Sequence, residues 1–333
     1  MSLFNEEVLE QPKAIKDTIN DNLETELAID PDKPILFSGM GSSLAASQLA
    51  ALYINSFGGM AQAIDSSELL HYQMGMLNHY NVFLGSQSGE SVETKEIANR
   101  HKDVKAFTNS PESSIATTAS ETYFTKATPE RAIASSKSFT TTVALMLYLS
   151  SKKFGEPLGD EILQAADVID EVLAERFEEI GDAISKTIDP NLPLLLIGRG
   201  PSVITAEQGG LTLKETARIF SESLSSAQFR HGPFELLKEN FQCFLFNPYG
   251  KTFELNREMA KEIASHGGKV LYVSDEALDD EENIESIVLN SIDEFISPMI
   301  YSCVVQIAAI KLCEKKGLVA GEASLISKVT EKQ

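Results

Sequence analysis

No stretch of this chain is apolar for long enough to cross a membrane, so no membrane partner is expected. Met1 to Glu10 has no apolar core behind a basic start, so no leader is expected either. Cysteine is scarce and odd in number: Cys243, Cys303 and Cys313 are widely spaced, each within an apolar run. That pattern predicts buried free thiols in a reducing compartment, hence a cytoplasmic protein. Positive charge is in the minority, with 28 Lys and Arg against 49 Asp and Glu and a formal charge of −21. Nucleic acid, which binds positive surfaces, is therefore an unexpected partner. No His, Cys or Asp pair has ligand spacing with a plausible second pair, so neither metal nor cofactor is expected.

What the chain does contain is enough apolar material, 43% of 333 residues, for about two domains. It also contains an internal repeat. Pro34-Ile35-Leu36-Phe37-Ser38-Gly39-Met40-Gly41-Ser42-Ser43 lines up with Pro193-Leu194-Leu195-Leu196-Ile197-Gly198-Arg199-Gly200-Pro201-Ser202, 159 residues on. Each reads as a buried strand that runs into a glycine turn and a helix. A second strand follows at Val82-Phe83-Leu84 and Cys243-Phe244-Leu245, then a helix carrying Lys95-Glu96-Ile97-Ala98 or Lys261-Glu262-Ile263-Ala264. A third strand comes at Val104 to Phe107 and Val270 to Val273. Long apolar helices close the halves at about Phe139 to Ser151 and Met299 to Leu312. Alternating strands and helices predict an α/β fold of two tandem units, each a parallel sheet with helices on both faces. The boundaries read as an N-terminal helix at 1–30, a first domain at 31–158, a linker helix at 159–189, a second domain at 190–316 and a tail at 317–333.

Ligands of open parallel sheets bind beyond the carboxyl ends of the strands. There the first half has Gly39-Met40-Gly41-Ser42-Ser43 and Ser86-Gln87-Ser88-Gly89-Glu90-Ser91. Both place hydroxyls beside a helix N-terminus, where free N–H groups and the helix dipole favour an anion. Such serines most often only cap helices, but two such loops on one sheet point to a phosphate pocket. The second half has Asn247-Pro248-Tyr249-Gly250 in place of the Ser86 loop, so a single pocket is expected, in the first half. Gly39-Met40-Gly41 is not a dinucleotide fingerprint, because the third glycine and the following acidic residue are missing.

These loops, together with Ala134-Ser135-Ser136-Lys137-Ser138-Phe139-Thr140-Thr141, resemble the sugar isomerase (SIS) domain. The tandem arrangement resembles the isomerase half of glucosamine-6-phosphate synthase and the related sugar-phosphate deaminases and fructosamine-6-phosphate deglycases. The resemblance runs from Glu10-Gln11-Pro12-Lys13-Ala14-Ile15 to Leu325-Ile326-Ser327-Lys328-Val329-Thr330. It implies phosphate contacts from Ser43, Ser86, Gln87, Ser88 and Ser91, with Ser42 beside them, and a sugar contact at Ser135. It implies catalytic roles for Glu215 in Leu213-Lys214-Glu215, for His231 in His231-Gly232-Pro233 and for Lys328 in the tail. In the synthase that histidine reaches the neighbouring subunit's site, which implies a homodimer.

The residue types suit the implied chemistry. Aldose–ketose interconversion moves a proton between C1 and C2, a task for a carboxylate such as Glu215. Ring opening needs a group that exchanges protons near neutrality, as His231 can. A lysine such as Lys328 can form an imine with the open-chain carbonyl, and a tail position allows closure over the substrate. Without the resemblance, Glu215 reads as a solvated helix carboxylate, His231 as a brace for its turn and Lys328 as an ordinary tail lysine. Glu130 precedes the Ser135 loop and carries little weight in this reading.

Two departures bear on the reaction. Thr212 stands where the synthase has a lysine, one helical turn before Glu215. No amidotransferase domain is expected ahead of residue 30 either, which favours a degradative direction. The expected function is therefore an amino sugar 6-phosphate deaminase or isomerase. A fructosamine-6-phosphate deglycase is the alternative, supported by Thr212 and Phe234-Glu235. A sugar-phosphate sensor without catalysis is the alternative of another class.

Overall fold

Ten strands form two five-stranded sheets in the computed structural model, which describes residues 2–237, 240–278, 281–322, 325 and 328. The chain opens with α1 (Leu3–Leu9) and α2 (Gln11–Asp21). The first half continues as β1 (Ile35–Gly39), α3 (Gly41–Ser56), β2 (Ala61–Asp65), α4 (Ser66–Glu68), β3 (Asn81–Gly85), α5 (Val92–Arg100), β4 (Val104–Thr108), α6 (Ser114–Thr118), β5 (Glu121–Phe124) and α7 (Lys137–Phe154). Then come α8 (Gly159–Glu175) and α9 (Phe177–Thr187). The second half repeats the plan: β6 (Leu194–Gly198), α10 (Ser202–Thr216), β7 (Ser221–Ser225), α11 (Ser226–Arg230), β8 (Gln242–Asn247), α12 (Phe253–Ser265), β9 (Lys269–Ser274), β10 (Ile284–Val288) and α13 (Ser297–Lys315).

Every pairing is parallel, and the strand orders are β2-β1-β3-β4-β5 and β7-β6-β8-β9-β10. The two orders are the same plan used twice. Glu10–Arg131, Ser135–Leu163 and Ser324–Gln333 make up a first compact unit. Met1–Leu9, Ala132–Ala134 and Gln164–Ala323 make up a second.

Side chains alternate across each strand, so one sheet buries two different sets. In the first unit Leu36, Val82, Leu84 and Val104 face Ile97 and Ala98 of α5. On the other face Phe37 lies 5.4 Å from Phe83, Phe83 lies 6.0 Å from Phe107, and Phe107 stacks at 4.9 Å on Tyr123. Each of these phenyl side chains is 0–1% exposed, and burying one contributes about 1.5–3 kcal/mol. In the second unit Leu195, Ile197, Cys243, Leu245 and Val270 pack with Met259, Ala260 and Ile263 of α12.

Each half is also locked where its strands begin. Asn81, the first residue of β3, accepts from Asp30 N at 2.7 Å and donates to Asp30 O at 2.8 Å and Lys33 O at 2.9 Å. Gln242, the first residue of β8, accepts from Asp189 N at 2.9 Å and donates to Asp189 O at 2.8 Å. Both carboxamides are buried. Each satisfies backbone groups of the turn before the first strand, groups that burial would otherwise penalise.

Several expectations need correction. Residues 1–30 carry two helices rather than one. Pro12 cannot donate to the carbonyl four residues earlier, so the first helix stops and α2 starts with Pro12 in its first turn. The stretch 159–189 is likewise two helices, broken at Arg176, whose guanidinium donates to Glu179 and to Val288 O at 2.7 Å. The strands read as second and third are the third and fourth of each half. The others lie at sheet edges and are half-buried.

Candidate active site in the first unit

The strand order of the first unit reverses between β1 and β3, since β2 lies on one side and β4 on the other. A crevice forms at such a switch point. The two serine loops leave from these two strands. Gly39 and Gly85 end them side by side. A Cβ on Gly39 would sit 2.9 Å from the backbone carbon of Ser43, and one on Gly85 would sit 3.4 Å from Ser43 Cβ. Glycine therefore lets the first turn of α3, with Ser42 and Ser43, lie across the strand ends. The second half keeps this device at Gly198, whose Cβ would meet Ser202 O at 2.3 Å.

The Ser86 loop is a folded cradle. Its backbone is pinned to the β4 end by Ser86 N to Phe107 O at 3.0 Å and Asn109 N to Gln87 O at 3.1 Å. Ser86 Oγ lies 3.2 Å from Ser91 Oγ and accepts from Gly89 N at 3.2 Å. Ser88 Oγ accepts from Glu90 N at 3.2 Å. Ser91 is the N-cap of α5 with no side-chain bond to its helix. Glu90 turns away from the cradle and accepts from Ser114 N at 2.7 Å and from Lys95 at 3.1 Å. The Ser114 backbone bond, chief among its partners, holds the Glu90 carboxyl below the usual carboxylate range.

Ser42, Ser43, Gln87, Ser135, Ser138, Phe139 and Thr142 line a narrow crevice. Gln87 is also on the wall of a larger open cavity of about 980 Å³. That cavity is lined further by Ser88, Asn109, Thr128, Glu130 and Lys328. Thr128 has a left-handed backbone, with φ +58°. It is pinned there by Asn109 Nδ2 to Thr128 O at 2.8 Å, and its hydroxyl accepts from buried Lys137 at 2.9 Å. Left-handed conformations of non-glycine residues persist only where the surroundings over-determine them.

Glu130 is the residue that sequence reasoning undervalued. Its side chain is completely buried. Oε1 accepts from Ser136 N at 2.9 Å, Ser136 Oγ at 3.2 Å and Ser138 N at 3.1 Å. Oε2 accepts from Ser138 Oγ at 2.5 Å and from Lys328 Nζ at 2.7 Å. Burial pushes its carboxyl up, but the Lys328 charge and these hydrogen bonds outweigh it and hold the carboxyl below the usual range. An acidic residue shortly before a hydroxyl-rich helix start was the available signal.

Of the expected site residues, the first unit gathers Ser42, Ser43, Gln87 and Ser135 on one crevice and Ser86 and Ser91 in one contact. It brings Lys328 to the cavity that Gln87 and Ser88 also line. Glu215 and His231 belong to the second unit. Glu215 lies half-buried in the last turn of α10, and His231 is exposed after α11, its N–H on Gln228 O at 2.9 Å. Thr212 is buried, and its hydroxyl accepts from Gln208 Nε2 at 3.2 Å. The neighbours of Lys328 in the tail, including Ile326, Ser327, Val329 and Thr330, lie outside the described residues.

The SIS domain family model matches residues 29–151 and 190–313, the two repeats in turn. The chain belongs to the SIS domain family. A curated relative is the glutamine–fructose-6-phosphate aminotransferase (isomerizing) of Pyrococcus horikoshii, 29% identical over 327 residues. The match takes in 93% of this chain and 54% of that protein, so the chain spans about half the length of the relative. Among solved structures, the C-terminal domain of the Francisella tularensis glucosamine-fructose-6-phosphate aminotransferase aligns with TM-score 0.83 at 23% identity. It covers 96% of this chain and 98% of that one. The Thermotoga maritima glucosamine-6-phosphate deaminase aligns with TM-score 0.79 at 20% identity, covering 98% and 99%. These structures share the double-SIS fold with this chain. Among the described residues no helix is long and apolar enough to cross a membrane.

Proposed function

We propose that this chain is an enzyme that processes an amino sugar 6-phosphate by proton transfer between C1 and C2, with release of the amine. One observation carries the reading. Two hydroxyl loops at the switch point of a parallel sheet adjoin, through Gln87, a cavity with the Lys328 amine on its wall. The loops suit a phosphate: they combine hydroxyl donors with the N-termini of α3 and α5. Ser42, Ser43, Ser86, Gln87, Ser88 and Ser91 are the proposed phosphate ligands and Ser135 a sugar contact. Lys328 is the proposed amine that attacks the open-chain carbonyl, losing water to give an imine and so acidifying the neighbouring C–H. Glu215 is the proposed carboxylate for the C1–C2 proton and His231 the proposed ring-opening group, donated to a neighbouring copy in a homodimer. The relatives named for fructose-6-phosphate amination and glucosamine-6-phosphate deamination support this substrate class. Buried thiols fit the reducing cytoplasm.

A second reading, a fructosamine-6-phosphate deglycase, has an observation of its own. Thr212 is sealed in a neutral hydrogen bond with Gln208, which leaves no cation one turn before Glu215 on α10. The cavity is also at the upper end of the size range for small-molecule pockets, with room beyond a hexose phosphate. The deciding experiment incubates the protein with glucosamine 6-phosphate and, separately, with fructoselysine 6-phosphate, and follows the products by NMR. Fructose 6-phosphate from the first is the expected result. Glucose 6-phosphate from the second alone would replace the deaminase with the deglycase. Binding of both without turnover would make the chain a sensor.

A further inference from the structure

Glu130 takes no part in the reading above, although it is the carboxylate bonded to the proposed amine. Three features of its surroundings bear on its role. First, its two oxygens receive five donors. An ionised carboxylate offers about four lone-pair sites, so none is left to take a proton from a substrate. Second, two of the donors are backbone N–H groups at the start of α7. Such groups favour negative charge, as does the helix dipole. Third, the contacts join segments far apart in sequence: Lys328 is 198 residues from Glu130, while Ser136 and Ser138 follow shortly after Ser135.

From this geometry we infer that Glu130 is the positioning residue that fixes the Lys328 amine on the cavity wall, acting as an anchor and not as an acid or base. A lysine has a flexible four-carbon stem and reaches many places unless it is held. Glu130 restrains it and registers it to the Ser135 loop through one buried group. The catalytic consequence rests on the proposed function, since it needs Lys328 to be the reacting amine. The anchoring itself does not.

The test therefore has two arms. In the first, the protein without substrate is exposed to formaldehyde and cyanoborohydride, and methylation of each lysine is timed by peptide mass spectrometry. Lys328 is expected to lag exposed Lys102 by about tenfold or more, the factor carried by one charge-assisted hydrogen bond. Glu130→Gln is expected to remove the lag. In the second arm, Glu130→Gln is expected to lower kcat by about a hundredfold, the effect of a misplaced reacting group, with KM little changed. Glu130→Asp should restore part of the loss. A carboxylate that merely supported the fold would lower the melting temperature and raise KM without changing the methylation order. Should Glu130→Gln fail to fold, Glu130→Asp draws the carboxylate back by one methylene and is expected to speed Lys328 methylation about threefold. A Lys328 that reacts as fast as Lys102 in the unaltered protein, or is untouched by the substitutions, overturns the anchor. A lag that behaves as expected in a protein that turns over neither sugar phosphate keeps the anchor and overturns the proposed function.

Discussion

Gly89 is the residue on which the Ser86 cradle turns, and replacing it by alanine has a calculable effect. Its backbone is left-handed, with φ +67°, which costs a residue with a Cβ about 1–2 kcal/mol. The added Cβ would also lie 2.1 Å from Ser113 Oγ and 2.4 Å from Ser113 Cβ. A rotamer change can move the oxygen, but it cannot move the β-carbon, so backbone must shift. Overpacking of this kind costs about 1–3 kcal/mol more. With a total of about 3 kcal/mol and a unit of this size, Tm should fall by about 6–12 °C. The double variant Gly89→Ala/Ser113→Gly removes the collision with Ser113 and leaves only a 3.1 Å approach to Ile115 Cγ1. Ser113 caps α6 through Ala116 N, but glycine in a capping position costs only a few tenths of a kcal/mol. The double variant should therefore be more stable than Gly89→Ala alone by about 1–2 kcal/mol, a sign of direct coupling. Circular dichroism melts of the protein and its single and double variants measure this. The same melts with added glucosamine 6-phosphate should show less ligand stabilisation for Gly89→Ala, because the cradle has moved. A single variant that melts with the unaltered protein, or a double variant no better than the single, would refute the account of the loop.

Two further outcomes follow from buried ionisable groups. The Glu130 carboxyl is held below its ordinary value of 4.5 by Lys328 and hydrogen bonds, which outweigh burial. Its stabilising contribution is thus complete above that value and is lost as pH falls through the lower folded value. Urea midpoints should show a gap between the protein and Glu130→Gln that is constant near neutrality and closes on acidification, and a gap that widens would contradict the assignment. Burial also raises the thiols, Cys303 to about 12, Cys313 to about 11 and Cys243 further still. Ellman's reagent at pH 8 should find no fast-reacting thiol in the folded protein and three in denaturant, and rapid labelling of the folded form would be incompatible with the packing.

The central strands were legible because burial on both faces demands continuous apolar runs. Ile35 to Phe37, Val82 to Leu84 and Leu194 to Ile197 meet that demand. Edge strands do not, since one side of each is open. Ala61-Gln62-Ala63-Ile64-Asp65 and Ser221-Glu222-Ser223-Leu224-Ser225 look like loops to a periodicity argument, and each becomes a strand by pairing with a buried neighbour. The cradle was legible because hydroxyls concentrate in two short loops at strand ends. Glu130 was legible only as an acidic residue shortly before a hydroxyl-rich helix start, because its partner Lys328 lies 198 residues away. The break between α1 and α2 was available in principle, since Pro12 forbids a hydrogen bond that a continuous helix needs.

The carboxamide locks of Asn81 and Gln242 sit at the edge where strands begin, while the serine cradle sits at the edge where they end. In the first sheet the Asn81 lock and the proposed phosphate loops thereby lie on opposite rims. The ending rim of the second half carries Asn247-Pro248-Tyr249-Gly250 where the first carries the Ser86 loop, while the Gln242 lock and the strand order match those of the first half. A duplicated scaffold with this partition can rewrite one rim residue by residue without renegotiating its register, so one copy can specialise while the other drifts.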